Sequence, residues 1–262
     1  MRSALIVGND SEIGSLISKN LEDSDWVVFS TSRRKDLIQQ NKSAKLYFCD
    51  LLDRESISLA VTTFVHDCPD WELVVISIGT LNPIGDFIET TFENWEISLQ
   101  VNFLNQLFFI RELLRNTHLT PNTRRTILTF AGSGTNSAPT RFSAYTLSKI
   151  ALIKATEILA AEYIDCAFVS LGTGWIKSPI HNQTLEAGDF AGVAYYETKR
   201  RMLEDDFGDP NLICDFINWI IQQPIRSISG MNFSLQGDDW KSPFFIERLA
   251  KEPDNFKLRR IG

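Results

Sequence analysis

The chain has 262 residues, 44% of them hydrophobic, enough to bury a full core without disulfide or metal staples. Its 26 basic and 33 acidic residues give a formal charge of −7, which argues against a nucleic-acid backbone as the main partner and chiefly signifies solubility. Cys49, Cys68, Cys166 and Cys214 stand far apart without a Cys-x-x-Cys pair, so neither a metal site nor a disulfide framework is expected and a reducing compartment is the natural reading.

Met1-Arg2-Ser3 runs straight into a short apolar stretch, too short for a signal peptide, and no run reaches the roughly 18 apolar residues of a membrane span. A cytoplasmic protein without a membrane partner is expected. Short β-branched runs at 4–7, 27–31, 46–49, 73–78, 126–131, 167–171 and 232–235 read as strands, with helical patterns between them. Such alternation predicts an α/β fold, because parallel neighbours need crossover helices, and these cover both faces of the sheet. No linker or repeat divides residues 1–262, so one domain is expected. Two segments leave the rhythm. Residues 178–201 read as a lid and residues 238–262 as a surface extension.

Directly after the first strand stands Gly8-Asn9-Asp10-Ser11-Glu12-Ile13-Gly14, followed by a helical pattern at 15–21. A glycine turn between strand and helix offers backbone N–H groups and a helix N-terminus to a diphosphate, although two glycines can also simply close a turn. Further along come Asp50, Gly79, Asn102, the pair Tyr145 and Lys149, and Thr173-Gly174. In order and spacing this series resembles the short-chain dehydrogenase/reductase family from Leu5 to about Gly237. The resemblance implies a Rossmann-type doubly wound parallel sheet of about seven strands, a nicotinamide cofactor and assembly into homodimers or homotetramers. It also implies that Gly8, Ser11, Ile13 and Gly14 cradle the cofactor, that Asp50 and Leu51 meet the adenine, and that Gly79 lies along the cofactor. Thr173, Gly174, Ile176 and Ser178 would then lie beside the nicotinamide. Two departures stand out. Glu12 replaces the middle glycine of the turn, and Ile76-Ser77-Ile78-Gly79 keeps the glycine of the family's Asn-Asn-Ala-Gly while losing its amides.

Cofactor choice is read after the second strand, where an acid accepts the hydroxyls of an NAD ribose and a base binds a 2′-phosphate. Here the chain has Thr31-Ser32-Arg33-Arg34 with no acid before Asp36. Arg33 fits the phosphate role with Arg34 in support, so NADP(H) is preferred and NAD(H) remains usable; the bland alternative is two solvated arginines.

The chemistry centres on Tyr145-Thr146-Leu147-Ser148-Lys149, whose four-residue spacing puts phenol and ammonium on one helix face. A phenol titrates near pH 10, so Lys149 is expected to favour its phenolate and to hold the nicotinamide ribose. Asn102, an amide in an apolar helical stretch, is assigned by the resemblance to a proton relay leading to Lys149; its alternative is a helix-bending residue satisfied by a carbonyl. The family's catalytic serine position is occupied by Gly132. Ser133 follows one residue late, and Thr135 or a backbone N–H are the other candidates to polarise a carbonyl.

The lid segment carries His181, Asn182, Gln183, Tyr195, Tyr196, Lys199, Arg200 and Arg201. This mixture reads either as a cover for a polar, anionic small molecule such as a sugar derivative or as an ordinary helix with a solvated basic face. No residues cluster around His181 to make it a metal ligand. The run Asp238-Asp239-Trp240 and the ending Leu258-Arg259-Arg260-Ile261 resemble a subgroup of short-chain reductases associated with surface-polysaccharide gene sets. Three functions compete. An oxidoreductase would move a hydride between cofactor and a carbonyl or alcohol, a sugar-nucleotide epimerase or dehydratase would use the cofactor transiently, and a cofactor sensor would bind without turnover. The short substrate region weighs against the second, and the Asn102, Tyr145 and Lys149 set against the third.

Overall fold

The structure, a computed structural model, describes residues 2–40, 45–119, 123–134 and 136–260. Among these residues seven strands form one sheet: β1 (Ser3–Val7), β2 (Val27–Ser32), β3 (Leu46–Phe48), β4 (Leu73–Ile76), β5 (Thr126–Phe130), β6 (Ala167–Gly172) and β7 (Met231–Ser234). All pairings are parallel, in the order β3-β2-β1-β4-β5-β6-β7. The strand positions expected from the sequence hold to within one or two residues. Their near-continuous apolar runs reflect burial on both faces, which a parallel sheet requires.

The crossovers are α1 (Glu12–Glu22), α2 (Lys35–Gln40), α3 (Arg54–Asp67), α4 (Phe92–Leu99), α5 (Asn105–Asn116) and α6 (Ser143–Glu162). After β6 come α7 (Ile180–Ala187), α8 (Val193–Glu204), α9 (Asn211–Ile220) and the short α10 (Ile225–Ile228), and after β7 comes α11 (Phe245–Lys251). One core half packs Leu5, Val7, Val74 and Ile76 against Phe64 of α3 and Phe109 of α5. The other packs Ile6, Val75 and Phe233 against Ile17 of α1 and Phe216 of α9. The strand order reverses between β1 and β4, and the crevice at such a switch point is where doubly wound sheets hold ligands. Gly8 leaves β1 there, and Gly79 follows β4.

The C-terminal segment differs from its expected role as a surface extension. Trp240, Phe245, Leu249 and Phe256 are buried in the same core half as Phe216 and Phe233. Trp240 lies edge-on to Phe216 at 5.4 Å between ring centroids, and its indole N–H donates to Leu235 O at 3.0 Å. The segment leaves the strand–helix rhythm, yet burial of these four large apolar side chains ties it to the core. Arg259 closes the tail onto α6 through Glu157 at 2.5 Å.

Candidate active site

The turn after β1 is built by two glycines that nothing larger could replace. Gly8 has a φ of 89°, in the left-handed region where a Cβ is disfavoured. A Cβ on Gly14 would run into Gly8 O and stand 2.8 Å from Ser77 Oγ, so glycine lets α1 press against the strand end. Ser11 caps α1, its hydroxyl donating to Gly8 O at 2.8 Å and accepting from Gly14 N–H at 3.0 Å. In the first helical turn the N–H groups of Glu12 and Ile13 have no intrahelical acceptor. This is a cradle that fits the diphosphate of a dinucleotide. The Glu12 side chain is exposed, leaving the backbone approachable.

Ser77 is a member that sequence reading passed over. Its hydroxyl donates to Val7 O at 3.0 Å and lies within reach of Gly8 O and Ser11 Oγ, at 3.2 and 3.3 Å. It fastens β4 to the glycine turn. The signal was a hydrogen-bonding residue standing where the family has an amide.

At the end of β2, Thr31 Oγ1 accepts from Gly8 N–H at 3.2 Å. Arg33 is exposed, while Arg34 is turned to Asp36 at 2.6 Å. Among the described residues Arg33 makes no ion pair, while Arg34 shares an exposed one. After β3, Asp50 Oδ1 accepts from Leu52 N–H at 2.9 Å, Leu51 is buried, and Leu51 O accepts from the Asn105 amide. These bonds fix the loop beside the adenine position implied by the family.

Asn102 sits on a π-helical turn, Gln100–Leu104, that joins α4 to α5, a widened geometry that recurs at functional sites. Fully buried, it grips the backbone of Thr80. Thr80 N–H donates to Asn102 Oδ1 at 2.9 Å, and Asn102 Nδ2 donates to Thr80 O at 2.9 Å and to Ser98 Oγ at 3.1 Å. A Cβ on Gly79 would lie 3.3 Å from Asn102 Oδ1 and 3.7 Å from Lys149 Nζ. The predicted relay partners therefore meet around Gly79.

Tyr145 and Lys149 share a face at the start of α6. Lys149 is buried and donates through Nζ to Phe130 O at 2.9 Å; the ammonium stands 6.0 Å from the Tyr145 ring centroid. Burial pushes the Tyr145 phenol up to about 12 and the Lys149 ammonium down to about 8. Desolvation is the cause of both shifts, and the ammonium is aimed at the Phe130 carbonyl.

The loop between β5 and α6 explains the missing serine. A Cβ on Gly132 would stand 2.7 Å from Lys149 Cγ and 2.8 Å from Tyr145 Oη, so the space of the family's serine is filled by the tyrosine and lysine themselves. Ser133 is exposed next to it and its hydroxyl has no partner among the described residues. Thr135 lies outside the described residues.

Beyond β6, Thr173 Oγ1 donates to Gly174 O at 3.2 Å and Gly174 has a φ of 69°. Ile176 is buried, its N–H donating to Gly174 O at 3.1 Å and its carbonyl accepting from the His181 ring at 2.9 Å. Ser178 precedes α7, and its carbonyl accepts from His181 N–H at 3.2 Å. The segment expected to form a lid is folded as α7 and α8. Its arginines are already occupied: Arg200 pairs with Glu197, Glu204 and Asp206, and Arg201 with Glu197 and Asp206. The solvated ion-pair helix, rather than an anion cover, is what α8 forms.

Among the described residues no helix is long and apolar enough to cross a membrane, and no three His, Cys, Asp or Glu could together hold a metal ion. A family model described as enoyl-(acyl carrier protein) reductase matches residues 7–237. The short chain dehydrogenase andI of Emericella variicolor is 26% identical over 214 residues, which cover 80% of this chain and 67% of that protein. Among solved structures, the KRED1-Pglu enzyme matches with a TM-score of 0.78 at 17% identity over 89% of this chain and all of that one. A variant of the actinorhodin polyketide ketoreductase with NADPH matches with a TM-score of 0.75 at 18% identity, over 89% of this chain and 95% of that one. At such identities the likeness to these structures is one of fold. With the family match spanning most of the chain and the cofactor turn, tyrosine and lysine in place, the chain belongs to the short-chain dehydrogenase/reductase family of NAD(P)-dependent oxidoreductases.

Proposed function

We propose that this enzyme is an NADP(H)-dependent carbonyl reductase in which Tyr145 gives the proton to the substrate oxygen. The observation that carries the reading is the buried Lys149 beside Gly79 and Asn102, with Tyr145 next to it over Gly132 at the C-terminal ends of the strands. Tyr145 carries its proton at neutral pH and is placed, one helical turn from Lys149, to give it to a substrate oxygen. Bound nicotinamide supplies the hydride. Lys149, charged below about pH 8, would hold the nicotinamide ribose, and Asn102 would keep the relay's amide in place. Ser133, or a backbone N–H of the same loop, would polarise the carbonyl.

Arg33, exposed just after β2 in a stretch with no acid before Asp36, supports NADP(H) over NAD(H), as does the NADPH in the ketoreductase of like fold. NADPH should bind more tightly than NADH by about 1–3 kcal/mol, the scale of a charge-assisted hydrogen bond. Titration of both cofactors against the parent and Arg33→Ala tests this; equal affinities in the parent would refute the preference. The engagement of Arg200 and Arg201 removes the reason for an anionic sugar substrate, so the proposal stays with carbonyl compounds. An apolar groove between α5 and α6, lined by Phe103, Leu107, Ile110, Ala151 and Ile158, is where we place the contact of a homodimer or homotetramer, which sedimentation velocity would read directly.

A further inference from the structure

The segment after β4 is held from two sides. Below it, Gln106 Nε2 donates to Ile78 O at 3.1 Å and Asn102 makes its paired bonds to Thr80. Above it lies α7, and from α7 Gln183 Oε1 accepts from Leu81 N–H at 2.8 Å and from the Thr80 hydroxyl at 3.1 Å. The direction of the Thr80 hydroxyl is fixed, because its oxygen already accepts from Asn82 N–H at 3.2 Å. Both partners of Gln183 are therefore donors, and the amide oxygen is the atom that matters. Helix α7 is in turn pinned in rotation by His181, which bonds Ile176 O and stacks on Trp175 at 5.1 Å between ring centroids.

We propose that Gln183 is a positioning residue that couples the lid to the proton relay. Resting on the oxidoreductase reading above, the inference is that Asn102 and Lys149 hold their working geometry around Gly79 only while Gln183 presses Thr80 and Leu81 down from the lid. Thr80 is the shared element: Asn102 grips its backbone and Gln183 its hydroxyl. With α7 lifted, Leu81 N–H and the Thr80 hydroxyl would lose their acceptor, and the Thr80 peptide that orients Asn102 would be released from one side. A lid that completes the relay on closing excludes water once substrate is in place.

The test compares Gln183→Leu with Gln183→Glu in the full chain. A carboxylate keeps the acceptor and leucine removes it. Backbone amide hydrogen exchange at Thr80 and Leu81 is followed in both, together with kcat and NADPH affinity on a carbonyl substrate found by following NADPH consumption. In Gln183→Leu, exchange should quicken at Leu81 and also at Thr80, whose N–H is bonded to Asn102 rather than to the lid. Turnover should fall about tenfold with NADPH affinity changed less than about twofold, the pattern of lost alignment rather than lost binding. Gln183→Glu should stay close to the parent in every readout. Faster exchange confined to Leu81 would overturn the coupling, and so would unchanged turnover in Gln183→Leu. Equal damage in Gln183→Glu would overturn the acceptor role. A parallel Tyr145→Phe variant separates the two levels: full turnover there would sink the functional reading, while the exchange data still decide the coupling.

Discussion

Putting serine at position 132 restores the residue type that the family carries there, and it should injure this enzyme. The first added atom is the obstacle. A Cβ at 132 would stand 2.7 Å from Lys149 Cγ, 2.8 Å from Tyr145 Oη and 2.9 Å from Tyr145 Cε1. Carbon atoms in good contact sit at about 3.5–4.0 Å, so the tyrosine tip and the lysine stem must each retreat by roughly 1 Å. Overpacking of that size typically costs about 1–3 kcal/mol of stability. Misplacing catalytic groups by about 1 Å can cost about 10²-fold in rate. Thermal unfolding and turnover of Gly132→Ser are the assay, with Gly132→Ala as companion, since the Cβ alone should cause most of the damage. A Gly132→Ser enzyme with parental melting temperature and equal or higher turnover would refute the packing explanation and show that the loop has room for a serine.

Cofactor binding should depend on pH through Lys149. Burial holds its conjugate acid near 8, so the donor charge is present below that pH and lost as pH rises through it. NADPH affinity measured by calorimetry should be level below about pH 8 and weaken above it, and Lys149→Met should abolish the dependence; an affinity level up to the ordinary lysine range would contradict the shift. The same lowered value means that Lys149 opposes folding most strongly below pH 8 and less as pH approaches its unfolded value. For the C-terminal segment, Trp240→Ala removes a side chain that is 4% exposed and packed on Phe216 and Trp219. Denaturant unfolding should show a loss of about 3–5 kcal/mol, whereas a true surface extension would lose almost nothing.

The strands were legible because a parallel sheet buried on both faces leaves continuous apolar runs, as at Leu73–Ile76 and Ala167–Gly172. The glycine turn and the Tyr145–Lys149 pair were legible because spacing alone puts them at a strand end and on one helix face. The C-terminal segment was not. Phe245 and Leu249 stand at helical spacing but in an element of only seven residues, too short for the pattern to stand out, and their partners Phe216 and Phe233 are supplied by α9 and β7. The pairing of Arg200 with Glu204 and of Arg201 with Glu197 lay in the sequence as four-residue spacings, in keeping with the solvated-helix reading of that segment. The crowding at Gly132 and the reach of Gln183 to Thr80 could not be read, because each depends on loops brought together by the sheet order.

The most direct test of the central claim is turnover of Tyr145→Phe alongside its NADPH affinity. The substitution removes one hydroxyl and keeps the ring, so fold and cofactor binding should persist while turnover falls by about 10²-fold or more, the loss expected for a positioned acid. A folded Tyr145→Phe enzyme that binds NADPH normally and reduces its carbonyl substrate at the parental rate would contradict the account and leave Tyr145 as packing alone.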